Sequence, residues 1–239
     1  MTVSYFRTGR ARTGVAEREW LAVDGQTFQA WRSVGASAVG RFGGPLTDDE
    51  SARVADAVAA CAAAGSPDAP VARPGSTVVQ IDLDGTSTQF GSGSPPPGPW
   101  SELDTVLSEL CDAIVDRPVA AIAVEPDGDD GYRLVHRGTD PIDVDLSDGT
   151  FVAVAWSGWY AEVGRSEGEL TGGTETATPG WTVAVPVGSL PADGENDGED
   201  DVENDGEIVV HVTARFALVG DRDAAPVEAS FAPELRRPD

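Results

Sequence analysis

The stretch TDDESARVADAVAACAAAG, Thr47 to Gly65, decides whether this chain of 239 residues is all-β or mixed. Thr47 followed three residues later by Glu50 forms a capping box, in which each side chain accepts from the other residue's backbone N–H. Val54, Ala57, Val58 and Cys61 then recur at helical spacing, and Gly65 supplies the stop. The spacing predicts an amphipathic helix with one apolar stripe. Upstream, Val15 to Val23 and Thr27 to Val34 flank Asp24-Gly25, a hairpin signal. Gly40 to Gly44 reads as a glycine-rich turn just before the helix. Downstream, Thr77 to Leu83 and Thr86 to Phe90 make a second hairpin around Asp84-Gly85. After the break GSGSPPPGP, Ser101 caps a second helix with Leu103, Val106, Leu107, Leu110 and Ile114 on its inner face. The order strand, strand, helix, strand, strand, helix predicts an antiparallel sheet covered on one face by two helices.

Beyond Pro118 the helical period disappears. Val119 to Val124, Tyr132 to His136, Ile142 to Leu146, Phe151 to Trp156, Trp159 to Val163, Trp181 to Val187, Ile208 to Leu218 and Val227 to Phe231 are strand-like runs between Gly, Asp and Pro turns. Such spacing is the pattern of a β-sandwich, similar to immunoglobulin-like sandwiches, a likeness that implies no particular function. The fold class read from the sequence is therefore α+β. An α+β domain over residues 1–117 precedes an all-β sandwich domain over 118–239, with the acidic run 193–207 as a loop between strands.

Charge sets the second constraint. Forty-one acidic residues against 16 basic ones give a net charge of −25, every basic residue is arginine, and there is no lysine. Six tryptophans and 40% hydrophobic residues provide enough apolar surface for a core, so the acidity is that of a folded protein's skin. Such a skin repels itself unless salt screens it, and at molar salt the screening length is only about 3 Å. The excess of Asp and Glu, the lack of lysine and the abundance of Ala, Gly and Val resemble proteins of extremely halophilic archaea, which implies a cytoplasm of molar salt. The opening MTVSYFRTGR has no apolar leader, and no run approaches the length of a membrane span, so a soluble, cytoplasmic chain is expected. Phosphate binding draws on clustered Lys and Arg, so neither nucleic acid nor a membrane is expected as a partner; a protein partner remains open.

Several motifs come close to a chemistry and each lacks a required part. In DGENDGEDDVENDGE, Asp193 to Glu207, the first half of a calcium loop occurs twice, but Asn204 and Val212 stand where the closing bidentate Glu belongs. GRARTG, Gly9 to Gly14, has phosphate-loop glycine spacing with Val15 and Ala16 in place of Lys and Ser or Thr. GRSEG, Gly164 to Gly168, offers Ser166 as a nucleophile with His211 later in the chain, but the following ELTGGTETATPG cannot form the helix that a nucleophile elbow needs. Cys61, Cys111, His136 and His211 lack zinc-type paired spacing, and the two cysteines read as buried thiols. Asp143, Asp145 and Asp148 read as a solvated strand face and its turn. Trp156 and Trp159 flank Ser157-Gly158, and the pair reads either as core or as an exposed aromatic platform. No catalytic, metal or cofactor residue is assigned.

Residues 3 to 114, with Arg7-Thr8-Gly9 after the opening strand, then Gly14 and the strand and helix order above, resemble the emfourin-type inhibitors of thermolysin-like metalloproteases. Arg10 stands where that family has a second glycine, and Gly14 falls one position beyond its next, so no inhibitory residue is carried over. The resemblance implies docking through the loop Thr8 to Thr13 or the turn Gly40 to Gly44. A non-catalytic binding or structural protein is the leading functional reading. A protease inhibitor and a serine hydrolase using Ser166 are the alternatives.

Overall fold

A computed structural model describes residues 2–10, 15–35, 38–68, 72–73, 75–128, 131–157, 161–188, 190, 208–219 and 224–233. The described chain is mostly β, with two helices and two sheets. It divides into two compact units, one of Met1–Val34 and Val39–Ala121, the other of Gly35–Ala38 and Ile122–Asp239.

The first unit contains β1 (Thr2–Arg10), β2 (Ala16–Asp24), β3 (Thr27–Arg32), then, after the two-residue β4 (Val34–Gly35), β5 (Val39–Pro45). Next come α1 (Asp48–Ala64), β6 (Val78–Leu83), β7 (Thr86–Gly91), α2 (Pro99–Ala113) and the first residues of β8 (Pro118–Pro126). The strands lie in the order β8-β5-β3-β2-β1-β6-β7, and the pairs from β5 to β7 are antiparallel. Both expected hairpins form, although the first turns at Gly25-Gln26, one residue later than the sequence suggests, because Asp24 pairs with Thr27. At the second, Asp84 and Gly85 both take positive φ, 44° and 86°, the conformation whose twist suits a tight hairpin.

The first helix follows its sequence closely. Thr47 and Glu50 make both halves of the capping box, the buried residues are Val54, Ala57, Val58 and Cys61, and Gly65 ends the helix at φ 77°. The Trp100 indole N–H donates to the Gly65 carbonyl at 2.9 Å, so α2 ties down the end of α1. The second helix is capped three residues before the expected Ser101: Gly98 is its N-cap and Pro99 its first residue, where proline's missing N–H costs nothing. Trp100, Leu103, Leu107, Leu110 and Cys111 are buried there.

The expected order fails ahead of α1. Gly40 to Gly44 is not a turn but most of β5, whose alternation is hidden by glycine. Gly40 lies at φ 131°, and a Cβ on it would stand 2.5 Å from the Ala120 carbonyl oxygen, so β5 approaches β8 at a distance that only glycine permits.

The second unit holds the remainder of β8, then β9 (Tyr132–Gly138), β10 (Ile142–Ser157), β11 (Ala161–Glu169), β12 (Thr174–Ala177), β13 (Thr182–Val185), β14 (Ile208–Val219) and β15 (Ala224–Phe231). Its strands run β8-β9-β13 and β11-β10-β14-β15, with β12 on β10. Ile142 to Ser157 is one bent strand rather than two, with a register shift between Asp145 and Thr150. Gly149 sits in this irregularity, where a Cβ would come within 3.0 Å of the Leu146 carbonyl oxygen and of Leu170. The strand Thr174–Ala177 has no sequence signal, since three of its four side chains are exposed and it carries no apolar alternation. Val144, Phe151, Ala153, Val212, Ala214 and Val227 form part of the buried core.

Candidate functional site: an aromatic sheet face

Side chains along a strand alternate between faces, so the register of the first unit fixes which residues share a side. On one side Val3, Tyr5, Leu21, Val23, Phe28 and Ile81 are buried. At the end of that side lies an ionic cluster. Glu19, 8% exposed, accepts from Arg32 Nε at 2.8 Å, and Arg7 bridges Glu17 at 3.3 Å and Glu19 at 3.9 Å. Arg32 also donates to the Cys111 carbonyl at 2.8 Å, anchoring α2 to the sheet. Burial raises the Asp104 carboxyl against the opposing pull of Arg7, and burial, assisted by the Asp104 charge, raises the Tyr5 hydroxyl. Every group in the cluster has a charged neighbour, and its work is to join helix and sheet.

The opposite side of the same sheet is different. Phe6 stands opposite Trp20, Trp20 opposite Trp31 and Trp31 opposite Arg41; in the other direction Phe6 faces Gln80, and Gln80 faces Gln89. Six adjacent strands therefore contribute one row, Gln89, Gln80, Phe6, Trp20, Trp31 and Arg41. At about 4.8 Å between strands the row is about 24 Å long and its three aromatic members span about 10 Å. Phe6 is 37% exposed, the one large hydrophobic side chain so exposed among the described residues, and Trp20 and Trp31 are half-buried. A groove of about 720 Å³ opens beside Trp20, Trp31, Arg41, Gly43, Pro45 and Val119.

The chemistry of this face departs from the rest of the chain. The neighbouring row, Ser87, Asp82, Ser4, Ala22, Gln29 and Gly43, contains one carboxylate, and Gln80 Nε2 already donates to both its oxygens at 3.1 Å. Arg18, opposite Thr8, adds a second exposed cation. On this face the strands place Arg10, Arg18 and Arg41 against the two carboxylates Asp24 and Asp82, in a chain that totals −25. An aromatic centre between arginines and amides can stack on flat or apolar groups and donate hydrogen bonds to anions.

The sites suggested by sequence motifs do not assemble. Ser166 stands opposite Ala153, whereas His211 stands opposite Val154, the next residue along β10. Successive residues point to opposite faces, so the serine and histidine cannot exchange a proton; the Ser166 hydroxyl instead accepts from the Gly188 N–H at 3.3 Å. Cys61 and Cys111 are buried free thiols; burial pushes Cys61 up to about 11 and raises Cys111 as well, so both are protonated at neutral pH. His136 Nε2 lies 2.9 Å from the Asp140 carbonyl oxygen. Asp143 accepts from the Thr176 hydroxyl at 2.6 Å and Asp145 from Ser147, whose two hydrogen bonds lower its carboxyl. No three His, Cys, Asp or Glu side chains gather as a metal cluster among the described residues. Trp156 is half-buried on the side of β10 opposite buried Phe151, Ala153 and Ala155. Trp159, the acidic loop 193–207 and residues 11–14 lie outside the described residues. Of the two docking stretches implied by the inhibitor resemblance, Gly40 to Gly44 is strand, not loop, and Thr8 to Arg10 is the end of β1.

The sequence carries the elements of this face separately. In each of β1, β2 and β3 one large aromatic residue falls out of phase with the core positions. What joins them is the register of three strands.

Comparison with protein-family models, with curated proteins and with solved structures finds no match to the chain. No helix among the described residues is long and apolar enough to cross a membrane.

Proposed function

We propose that this chain is a non-catalytic binding protein of a salt-rich cytoplasm, and that the row Phe6, Trp20 and Trp31 is the centre of its binding surface. The observation that carries the reading is the coincidence of three features on one sheet face: aromatic side chains out of phase with the core, a groove beside them, and a shortage of carboxylates in a strongly acidic chain. Cross-strand aromatic pairs add only about 0.2–1 kcal/mol each to a sheet, whereas interfaces concentrate Trp, Tyr and Arg at their energetic centres. The rigid, fully paired strands beneath hold those side chains in place, which reduces the entropy lost on docking. In this reading the second unit is an all-β sandwich domain that follows the α+β domain, and it carries the acidic skin that keeps the pair soluble in molar salt.

The test is an affinity isolation from the source cells with the tagged full chain, in buffer of cytoplasmic salt, against the Trp20→Ser/Trp31→Ser variant. The variant should keep its far-UV circular dichroism and lose specific partners that the parent retains. Identical sets of retained proteins would remove the face from the account.

A further inference from the structure

The edge of the first unit's sheet is a second surface, separate from the aromatic face. We propose that β7 pairs antiparallel with β7 of a second copy of the chain, about a two-fold axis through Thr88, so that the two sheets join edge to edge. The pairing does not rest on the binding reading above.

β7 ends the sheet, and among the described residues its one strand neighbour is β6. The two-residue turn at Asp84-Gly85 makes Leu83 and Thr86 a hydrogen-bonded pair, and the antiparallel alternation then makes Ile81 with Thr88 and Val79 with Phe90 the next ones. The Ser92 N–H, donating to the Thr77 carbonyl at 2.8 Å, continues the same phase. The peptide groups of Ser87 and Gln89 therefore point away from β6. Both residues are exposed, and no described residue bonds to those groups. Open edges are ordinarily guarded by charge, proline, a bulge or short length. Here β11 carries Glu162, Arg165, Glu167 and Glu169, β12 has four residues and contains Glu175, β13 has four residues followed by Pro186, and β4 has only two. β7 has six residues without a charge or a proline, and its register on β6 is unbroken.

Thr88 indicates which strand fits that edge. It is 5% exposed and its hydroxyl has no hydrogen-bond partner, while the side chains of β6 beside it, Ile81 directly across and Val79 and Leu83 on the diagonals, are apolar. Pairing about Thr88 sets Ser87 of each copy opposite Gln89 of the other, so that their outward N–H and C=O groups are exchanged. The two Thr88 side chains then face each other as a non-hydrogen-bonded pair with Cα atoms about 4.5 Å apart, where the orphaned hydroxyls can bond one another. Thr86 meets Phe90 by the same symmetry. Every facing pair is uncharged, so the contact between two strongly acidic chains sets no like charges opposite each other. A foreign strand could use the same backbone groups, but it would have to supply a polar partner for Thr88 that a second copy already carries. A contact one strand wide is small, so the dimer is reversible and depends on concentration.

The experiment uses the full chain in molar potassium chloride. Sedimentation velocity over a dilution series should show a reversible monomer–dimer equilibrium. Ser87→Pro removes an outward N–H and leaves the β6 ladder intact; it should raise the dissociation constant about tenfold or more with unchanged far-UV circular dichroism, while Ser87→Thr should keep the dimer. Cross-linking under mild oxidation reads the register. Thr88→Cys should give a disulfide-linked dimer, since Cα atoms about 4.5 Å apart lie within the span of a disulfide. Ser87→Cys alone should not, because each copy's residue 87 faces residue 89 of the other, whereas Ser87→Cys/Gln89→Cys should. The native Cys61 and Cys111 are buried and should leave the parent unlinked. The double variant sits at exposed positions, so the register is still read if Thr88→Cys fails to fold. A parent that is monomeric at every concentration, or a dimer that Ser87→Pro leaves intact, would overturn the proposal. Cross-linking by Ser87→Cys alone, with none from Thr88→Cys or the double variant, would place the axis elsewhere and overturn it as well. A dimer dissolved by Trp31→Ser but not by Ser87→Pro would move self-association to the aromatic face, and a monomeric parent that loses a bound cell protein on Ser87→Pro would give the edge to a foreign strand.

Discussion

Replacing Gly40 by alanine probes the element that the sequence hides. Gly40 lies inside β5 opposite Arg32, at φ 131°, a region that residues with a Cβ rarely adopt. The added methyl would also sit 2.5 Å from the Ala120 carbonyl oxygen and 2.8 Å from the Ala121 Cα, both backbone atoms that cannot rotate aside. The backbone strain costs about 1–3 kcal/mol and the overpacking about 1–3 kcal/mol more, roughly 2–6 kcal/mol together. For a protein of this size each kcal/mol moves the melting point by about 2–4 °C, so Gly40→Ala should melt roughly 5–20 °C below the parent in calorimetry. Gly44→Ala supplies the control: its φ is 146°, but no atom lies within 4 Å of the new methyl, so only the backbone cost of about 1–3 kcal/mol remains. A Gly40→Ala protein that melts within about 1 °C of the parent, or above Gly44→Ala, would refute the close approach of β5 to β8.

Further outcomes follow from the charges. Glu19→Ala strips the buried carboxylate from Arg32 and Arg7 and should cost about 3–5 kcal/mol in urea unfolding, since two guanidinium groups lose their shared partner; a loss below about 1 kcal/mol would contradict the buried cluster. Glu50 has its carboxyl held below the ordinary value of 4.5, chiefly by Arg117 and also by the Thr47 N–H. That stabilisation is complete above 4.5 and is lost as pH falls through the lower folded value, so Glu50→Gln should unfold earlier than the parent at pH 6 and lose that difference under strong acid; parallel curves at all pH values would contradict it. Transfer from molar potassium chloride to about 0.1 M lengthens the screening distance from about 3 to about 10 Å. Loosening seen by circular dichroism is the expected result for a net charge of −25, and unchanged thermal stability would refute the halophilic reading.

Local rules carried far in this chain where they were strong. The capping box at Thr47 and Glu50, the apolar stripe through Cys61 and the stop at Gly65 each depend on neighbours within a few residues, and all three stand as read. Asp84-Gly85 likewise turns where expected. The glycines of β5 mislead because their purpose is non-local: Gly40 is required by β8, some eighty residues further on, and nothing adjacent reveals that contact. For the same reason Ile142 to Ser157 looks like two strands, since Ser147-Asp148-Gly149 has turn chemistry but sits in an irregularity of one continuous strand. The binding face was the least legible part. Phe6, Trp20 and Trp31 are ordinary strand aromatics until pairing sets them in a row, and attention falls instead on Trp156, whose aromatic neighbours are adjacent in sequence.

The most direct test of the binding face is photocrosslinking from it. A benzophenone-bearing phenylalanine replaces Phe6 in the full chain expressed in the source cells, with the same group at Asp56 on the exposed side of α1 as the reference. The account predicts a discrete protein adduct from position 6 that disappears when Trp31→Ser is added, and none of that mass from position 56. Adducts that are the same from both positions, or that survive Trp31→Ser, would contradict it.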